Sequence, residues 1–172
     1  ADLLGVPLRI VVSPKTLERN ALEFATRDKS FKADLSPDNF VDEVKAKISE
    51  EDYKRAHYVI GERERVLAVC DALEKGDYET VGRMMYETHH GLSQEYEVSC
   101  EELDFLNDVA KEQGVTGSRI MGGGFGGCTI NLVDEHYYDC FVKAAKEQFK
   151  AKFGKEPVII DVVIGDGARK LC

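Results

Sequence analysis

The residues whose types and spacing could do chemistry lie between Gly117 and Val133. Gly117, Gly122, Gly123, Gly124, Gly126 and Gly127 crowd around Phe125, and the alternating run Cys128, Ile130, Leu132 follows at once. Each glycine loses more backbone entropy on folding than any other residue. A cluster of them is retained where the chain must take positive φ or approach another group closely, and a ligand phosphate is the usual group. The bland alternative is a glycine-rich hairpin turn. Gly122-x-Gly124-x-x-Gly127 fits the dinucleotide fingerprint, but that motif must open a helix, whereas Thr129 to Val133 reads as a strand. The Walker ending Gly-Lys-Ser/Thr is absent, and no protein-kinase catalytic-loop motif follows.

Other candidates read as structural. His57 sits beside an apolar helix face, which suits a half-buried, hydrogen-bonded histidine. His89 and His90 are adjacent, so on a helix they point about 100° apart and cannot share a metal; His90 is assigned to the solvated face. Glu101, Glu102 and Asp104 suit a helix start, where acids complement the dipole. Cys128 is expected to face the sheet core and not to act as a nucleophile. Phe125 is expected to anchor the loop against a neighbouring domain.

The elements that position these residues follow from periodicity. Tyr53 to Leu73 reads as a helix with Val59, Ile60, Val66, Leu67, Cys70 and Leu73 on its apolar face. Gly76 suits its end, and Asp77 caps a second helix with the stripe Tyr78, Val81, Met85, Thr88, Leu92. Ser99 and Glu102 form a capping box for a third helix, with Leu103, Leu106 and Val109 inward. A fourth helix covers about 136–152, carries Phe141, Ala145 and Phe149, and ends at Gly154. Pro157 to Ile164 is almost all apolar and reads as a last strand. Helices with hairpin-linked strands imply an α+β class with an antiparallel sheet.

Gly117-Ser-Arg-Ile-Met-Gly-Gly-Gly-Phe-Gly-Gly-Cys128 resembles the third motif of the galactokinases, members of a superfamily of small-molecule kinases that includes homoserine, mevalonate and phosphomevalonate kinases (GHMP). Met121 departs from the usual threonine. The resemblance continues through Tyr53 to Glu62, Gly76-Asp-Tyr78, Glu87-Thr-His89, Tyr96-Glu-Val-Ser-Cys100 and Glu102-Leu-Asp104, covering about 52–172. It implies a ferredoxin-like C-terminal domain and, for the intact enzyme, ATP- and Mg2+-dependent phosphorylation of galactose at the anomeric hydroxyl. Gly122, Gly123, Gly124, Phe125, Gly126 and Gly127 would line the interdomain active site, with Ser118, Arg119, Met121 and His89 as loop support. The family's Gly-Leu-Ser-Ser-Ser-Ala nucleotide loop, its sugar-binding Gly-Glu-His-Thr-Asp segment and its catalytic aspartate belong to an N-terminal domain. None of these is found here, so no catalytic residue or metal ligand is assigned in this chain. The resemblance makes the missing N-terminal kinase domain a partner. The chain alone is expected to be inactive and to hold no cofactor tightly.

Residues 1–48 have another texture. Leu8 to Val12 is a β-branched run closed by Ser13-Pro14, and Ala21 to Arg27 alternates as a second strand. Ser36-Pro37 then opens a helix with Phe40, Val41, Val44 and Ile48 on one face. This β-β-α segment resembles the end of the anticodon-binding domain of prolyl-type class II aminoacyl-tRNA synthetases. The domain reading is therefore 1–50 synthetase-like and 51–172 kinase-like. The alternatives are another kinase of the same superfamily or an anticodon-binding fragment.

Composition bounds these readings. The 172 residues suit one domain with an appendage, and 43% hydrophobic with 32% charged residues is globular. The net charge of −9 is concentrated after residue 50, where 23 acids face 15 bases. That disfavours nucleic acid, which needs a basic stripe, and suits a cytoplasmic protein. The cysteines Cys70, Cys100, Cys128, Cys140 and Cys172 are odd in number and without Cys-x-x-Cys, so reduced thiols are expected. No run approaches a membrane span.

Overall fold

A computed structural model describes residues 8–26, 29–46, 49–163 and 165. Two compact units make up the chain, 1–54 and 55–172. In the first, β1 (Leu8–Val11), β2 (Leu22–Thr26) and β3 (Lys32–Leu35) form an antiparallel meander, with Leu8 opposite Thr26 and Leu22 opposite Leu35. Phe24 is fully buried, meets Phe40 edgewise and stands tilted against Phe31. The short helix α1 (Pro14–Glu18) joins β1 to β2 through a capping box between Ser13 and Thr16.

This unit differs from the β-β-α expectation by α1 and β3. Lys32-Ala-Asp-Leu35 has a single strong apolar residue, too little for a period-2 signal, yet pairing to β2 makes it a strand. Helix α2 (Phe40–Lys45) begins later than Ser36-Pro37 suggested. The Ser36 hydroxyl accepts from Asp38 N at 3.3 Å, a local turn that competes with a helix start. Val41 is 65% exposed, so the expected apolar face is not buried as a whole. Arg27 and Ile48 lie outside the described residues.

The second unit is built from α3 (Glu50–Lys75, which begins in the first), α4 (Tyr78–Gln94), α5 (Glu101–Glu112), the hairpin β4 (Gly117–Met121) and β5 (Cys128–Leu132), and α6 (Glu135–Phe153). Asp77 caps α4 by accepting from Thr80 N, and Gly154 ends α6 in the left-handed region. Val109, Ala110, Val115, Phe141 and Ala145 form the core between α5, α6 and the hairpin. Leu103 and Val109 point inward as expected, with Leu106 packed against that cluster. Helix α4 lies directly on β4. A Cβ on Gly82 would stand 1.9 Å from the Thr116 carbonyl oxygen, and one on Gly117 would stand 2.5 Å from Gly82 Cα. Only glycine permits this approach.

The α+β class with antiparallel pairing stands, with several corrections in detail. The apolar stripe of α3 is not buried: Val59, Ile60, Val66, Leu67 and Leu73 are 51–67% exposed, and Cys70 is exposed. Tyr58 and Ala72 are the residues α3 buries. Tyr78 is exposed as well. Helix α5 has no capping box; its N-cap is Cys100 and no side chain caps it. Residues 157–163 form no strand, and Val158, Ile160, Val162 and Val163 are 72–95% exposed. A strand exists by pairing, and the described run is paired to neither β4 nor β5. Ile164 lies outside the described residues.

Candidate functional site

Met121 and Cys128 are the last paired residues of the hairpin, so the loop that it presents is 122–127. Gly122, Gly124, Gly126 and Gly127 have φ of +91°, +80°, +120° and +94°, and Phe125 itself has +58°. Backbone of this kind is open to glycine at little steric cost and is uncommon for any other residue. A Cβ on Gly122, Gly123, Gly126 or Gly127 would meet nothing within 4 Å, so this side of the loop is open. Phe125 is 79% exposed.

The loop is fixed at one point. Phe125 N donates to the Val98 carbonyl at 2.6 Å. At Gly124 a Cβ would lie 2.2 Å from the same oxygen and 2.8 Å from Val98 Cβ. The left-handed Phe125 is the kind of sparsely populated conformation that persists only where surroundings hold it.

Ser118, Arg119 and Met121 all lie on β4 below the loop. Ser118 is fully buried; its carbonyl accepts from Asn107 Nδ2 at 2.8 Å, while its hydroxyl has no partner among the described residues. Arg119 is half-buried opposite Ile130, and Met121 is 48% exposed opposite Cys128. Tyr86 donates to the Val115 carbonyl at 2.8 Å, which ties α4 to the entry of β4; burial pushes its phenol up to about 12.

His89 contacts α5 through Asp104. It is buried on α4, with Nε2 3.1 Å from Asp104 Oδ1 and no partner for Nδ1 among the described residues. Burial lowers its pKa, against the opposing pull of Asp104, so it is neutral near pH 7. The Asp104 carboxylate also accepts from Ser93 Oγ at 3.0 Å and from Ser99 Oγ. A cleft of about 270 Å3, with Tyr86, His89, Asp104 and Lys111 among its walls, lies between α4 and α5 and includes no residue of the glycine loop.

Two expectations are overturned here. His57 is not half-buried: its side chain is 65% exposed, and Nδ1 lies 2.9 Å from Glu95 Oε2. Cys128 is exposed and does not face the core, because its place at the mouth of the hairpin puts it next to the open loop. His90 is exposed as expected. Val98 and Asn107 were not singled out by sequence reasoning, and Ser99 was read only as a helix cap. The signal for Val98 and Ser99 was the Tyr96-to-Cys100 stretch, where Glu97 takes φ +57°; Asn107 had none. Among the described residues no group of three His, Cys, Asp or Glu side chains could hold a metal ion, and no helix is long and apolar enough to cross a membrane.

Residues 70–151 match the family described as GHMP kinases C terminal, and residues 1–47 match the anticodon binding domain family. The chain is 41% identical over 140 residues to the galactokinase of Clostridium beijerinckii, which covers 80% of this chain and 36% of that one. It is 45% identical over 103 residues to the galactokinase of Canis lupus familiaris, covering 59% of this chain and 26% of that one. The crystal structure of Lactococcus lactis galactokinase complexed with galactose superposes with a TM-score of 0.63 at 32% identity, over 71% of this chain and 32% of that one. The chain thus spans about a third of the length of these relatives. The hairpin and its glycine loop lie within residues 70–151, the stretch that is similar to the C-terminal family of the GHMP kinases and to galactokinases.

Proposed function

We propose that this chain supplies one wall of the active site of a galactokinase-like sugar kinase, which transfers a phosphoryl group from ATP to the anomeric hydroxyl of galactose. The observation that carries this reading is the loop 122–127, with four glycines and Phe125 at positive φ and its outer side open. Phosphoryl transfer depends on donors and cations held ready around the transferring group. The loop can offer backbone N–H groups to phosphate oxygens. Among the described residues no group of three His, Cys, Asp or Glu side chains could hold a metal ion, and no magnesium ligand is assigned to this wall. On the family resemblance, the magnesium ligands, the nucleotide loop, the sugar-binding groups and the catalytic aspartate belong to a second wall.

Two surfaces support a partner of that kind. The apolar face of α3 from Val59 to Leu73 and the run from Val158 to Val163 are exposed, and large exposed apolar patches mark interaction sites. On this reading the N-terminal part of such a kinase covers them in a cytoplasmic enzyme. Residues 1–50 form a partial anticodon-binding-like segment, and the chain holds no tRNA, because that segment is incomplete and the residues after 50 carry the acidic excess.

A coupled ADP-release assay with galactose and ATP tests this. The chain alone is expected to give no turnover. Adding the separately produced N-terminal part of the Clostridium beijerinckii galactokinase is expected to restore it. Robust turnover by the chain alone, or none with the added part, overturns the proposal.

A further inference from the structure

We propose that Asp104 is a positioning residue for the glycine-rich loop, acting through Ser99 and the Val98 carbonyl. The functional meaning rests on the loop's role proposed above, but the geometry does not.

Three acids open α5, and they do different things. Glu101 and Glu102 face Lys152 and Lys155 at 2.9 and 3.8 Å. Asp104 alone turns toward α4, where three donors converge on it: Ser93 Oγ on Oδ2, and Ser99 Oγ with His89 Nε2 on Oδ1. His89 and Ser93 stand one turn apart on α4, so the carboxylate closes α4, the 95–100 connection and α5 into one unit. Helix-dipole complementarity requires none of these three bonds.

The connection held in this way ends at the loop. Val98 is buried, and its N–H donates to the Leu92 carbonyl at 2.9 Å. Ser99, the next residue, is fixed by Asp104. The peptide between these two anchors carries the carbonyl that receives Phe125 N at 2.6 Å and faces Gly124. If Ser99 is released, that carbonyl can rotate, and the loop loses the partner that holds Phe125 at φ +58°. A hydrogen bond to a charged acceptor is among the stronger kinds, so its loss is expected to be felt at the loop.

The test is residue-resolved amide exchange by NMR on the whole 172-residue chain, comparing Phe125 with Ala145 of α6. Ser99→Thr and Ser99→Val have nearly the same volume and differ in the hydroxyl. Ser99→Val and Asp104→Ala are expected to speed Phe125 exchange about tenfold or more relative to Ala145. Ser99→Thr is expected to keep it within about twofold of the parent. Equal protection of Phe125 in the Thr and Val variants overturns the proposal, as does a parallel rise at Phe125 and Ala145. Should Asp104→Ala fail to fold, the Ser99 pair decides alone. Because exchange involves no phosphoryl transfer, failure of the kinase reading leaves this result standing, and the converse holds too.

Discussion

Gly122, Gly123 and Gly124 are neighbours of one type with three different physical demands, and alanine at each position separates them. Gly123 lies outside the left-handed region with nothing within 4 Å of a new Cβ. Gly123→Ala therefore reduces unfolded-chain entropy without strain and is expected to be neutral or stabilising by about 0.4–1 kcal/mol. Gly122 has φ +91° and open space, so Gly122→Ala meets only the left-handed penalty of about 1–2 kcal/mol. Gly124 has φ +80°, and its Cβ would stand 2.2 Å from the Val98 oxygen. That carbonyl is backbone, held by its neighbours, and cannot swing aside like a long side chain. The loop must lift, which breaks the Phe125–Val98 hydrogen bond, worth about 1 kcal/mol net. Gly124→Ala is thus expected to cost about 2–3 kcal/mol, the upper limit being set by peeling the loop away. The assay is urea unfolding followed by NMR resonances of Ala110 and Ile120, which report on the second unit alone. The expected order of midpoints is Gly123→Ala at or above the parent, then Gly122→Ala, then Gly124→Ala lowest. Equal midpoints for Gly123→Ala and Gly124→Ala would refute the reasoning.

Gly82→Ala places a methyl against the Thr116 carbonyl and is expected to destabilise by about 1–3 kcal/mol despite better helix propensity, whereas Gly61→Ala meets only the Arg65 guanidinium at 3.1 Å, the end of a long side chain that must give a few tenths of an ångström while keeping its Glu62 pair, and is expected to be neutral or to stabilise by up to about 1 kcal/mol; a loss only for Gly82→Ala in the same unfolding assay is the check. His89 has its pKa lowered in the fold, so its contribution to stability is complete above about pH 6.5, the unfolded value, and is lost as pH falls from there toward the folded value. His89→Gln is expected to flatten that decline, and an imidazole NMR titration at or above pH 6.5 would contradict it. Limited proteolysis is expected to cut first between about Lys45 and Lys54; first cleavage within 55–110 would move the domain boundary.

The elements whose sequence period matched their surroundings were legible. Helix α6, with Phe141, Ala145 and Phe149 inward and Gly154 at its end, and the hairpin around the loop, are local statements: helical spacing, β-branching and positive φ at glycine. The glycine loop was legible for the same reason, since only glycine relieves that backbone. What sequence periodicity could not decide was which apolar surface finds a partner. Val59 to Leu73 and Val158 to Val163 have the composition of buried elements, but burial is a property of two surfaces, and here both runs are exposed. Polar assignments failed similarly. Ser99 and Asp104 had the spacing of a helix start, and Cys128 that of an inward strand residue. Tertiary structure turned Ser99 and Asp104 toward each other and toward His89, which left α5 without a side-chain cap, and placed Cys128 at the loop mouth. Hydrogen-bond partners separated in sequence are chosen by how helices and turns pack; that choice is made by tertiary contact and leaves no period in the chain.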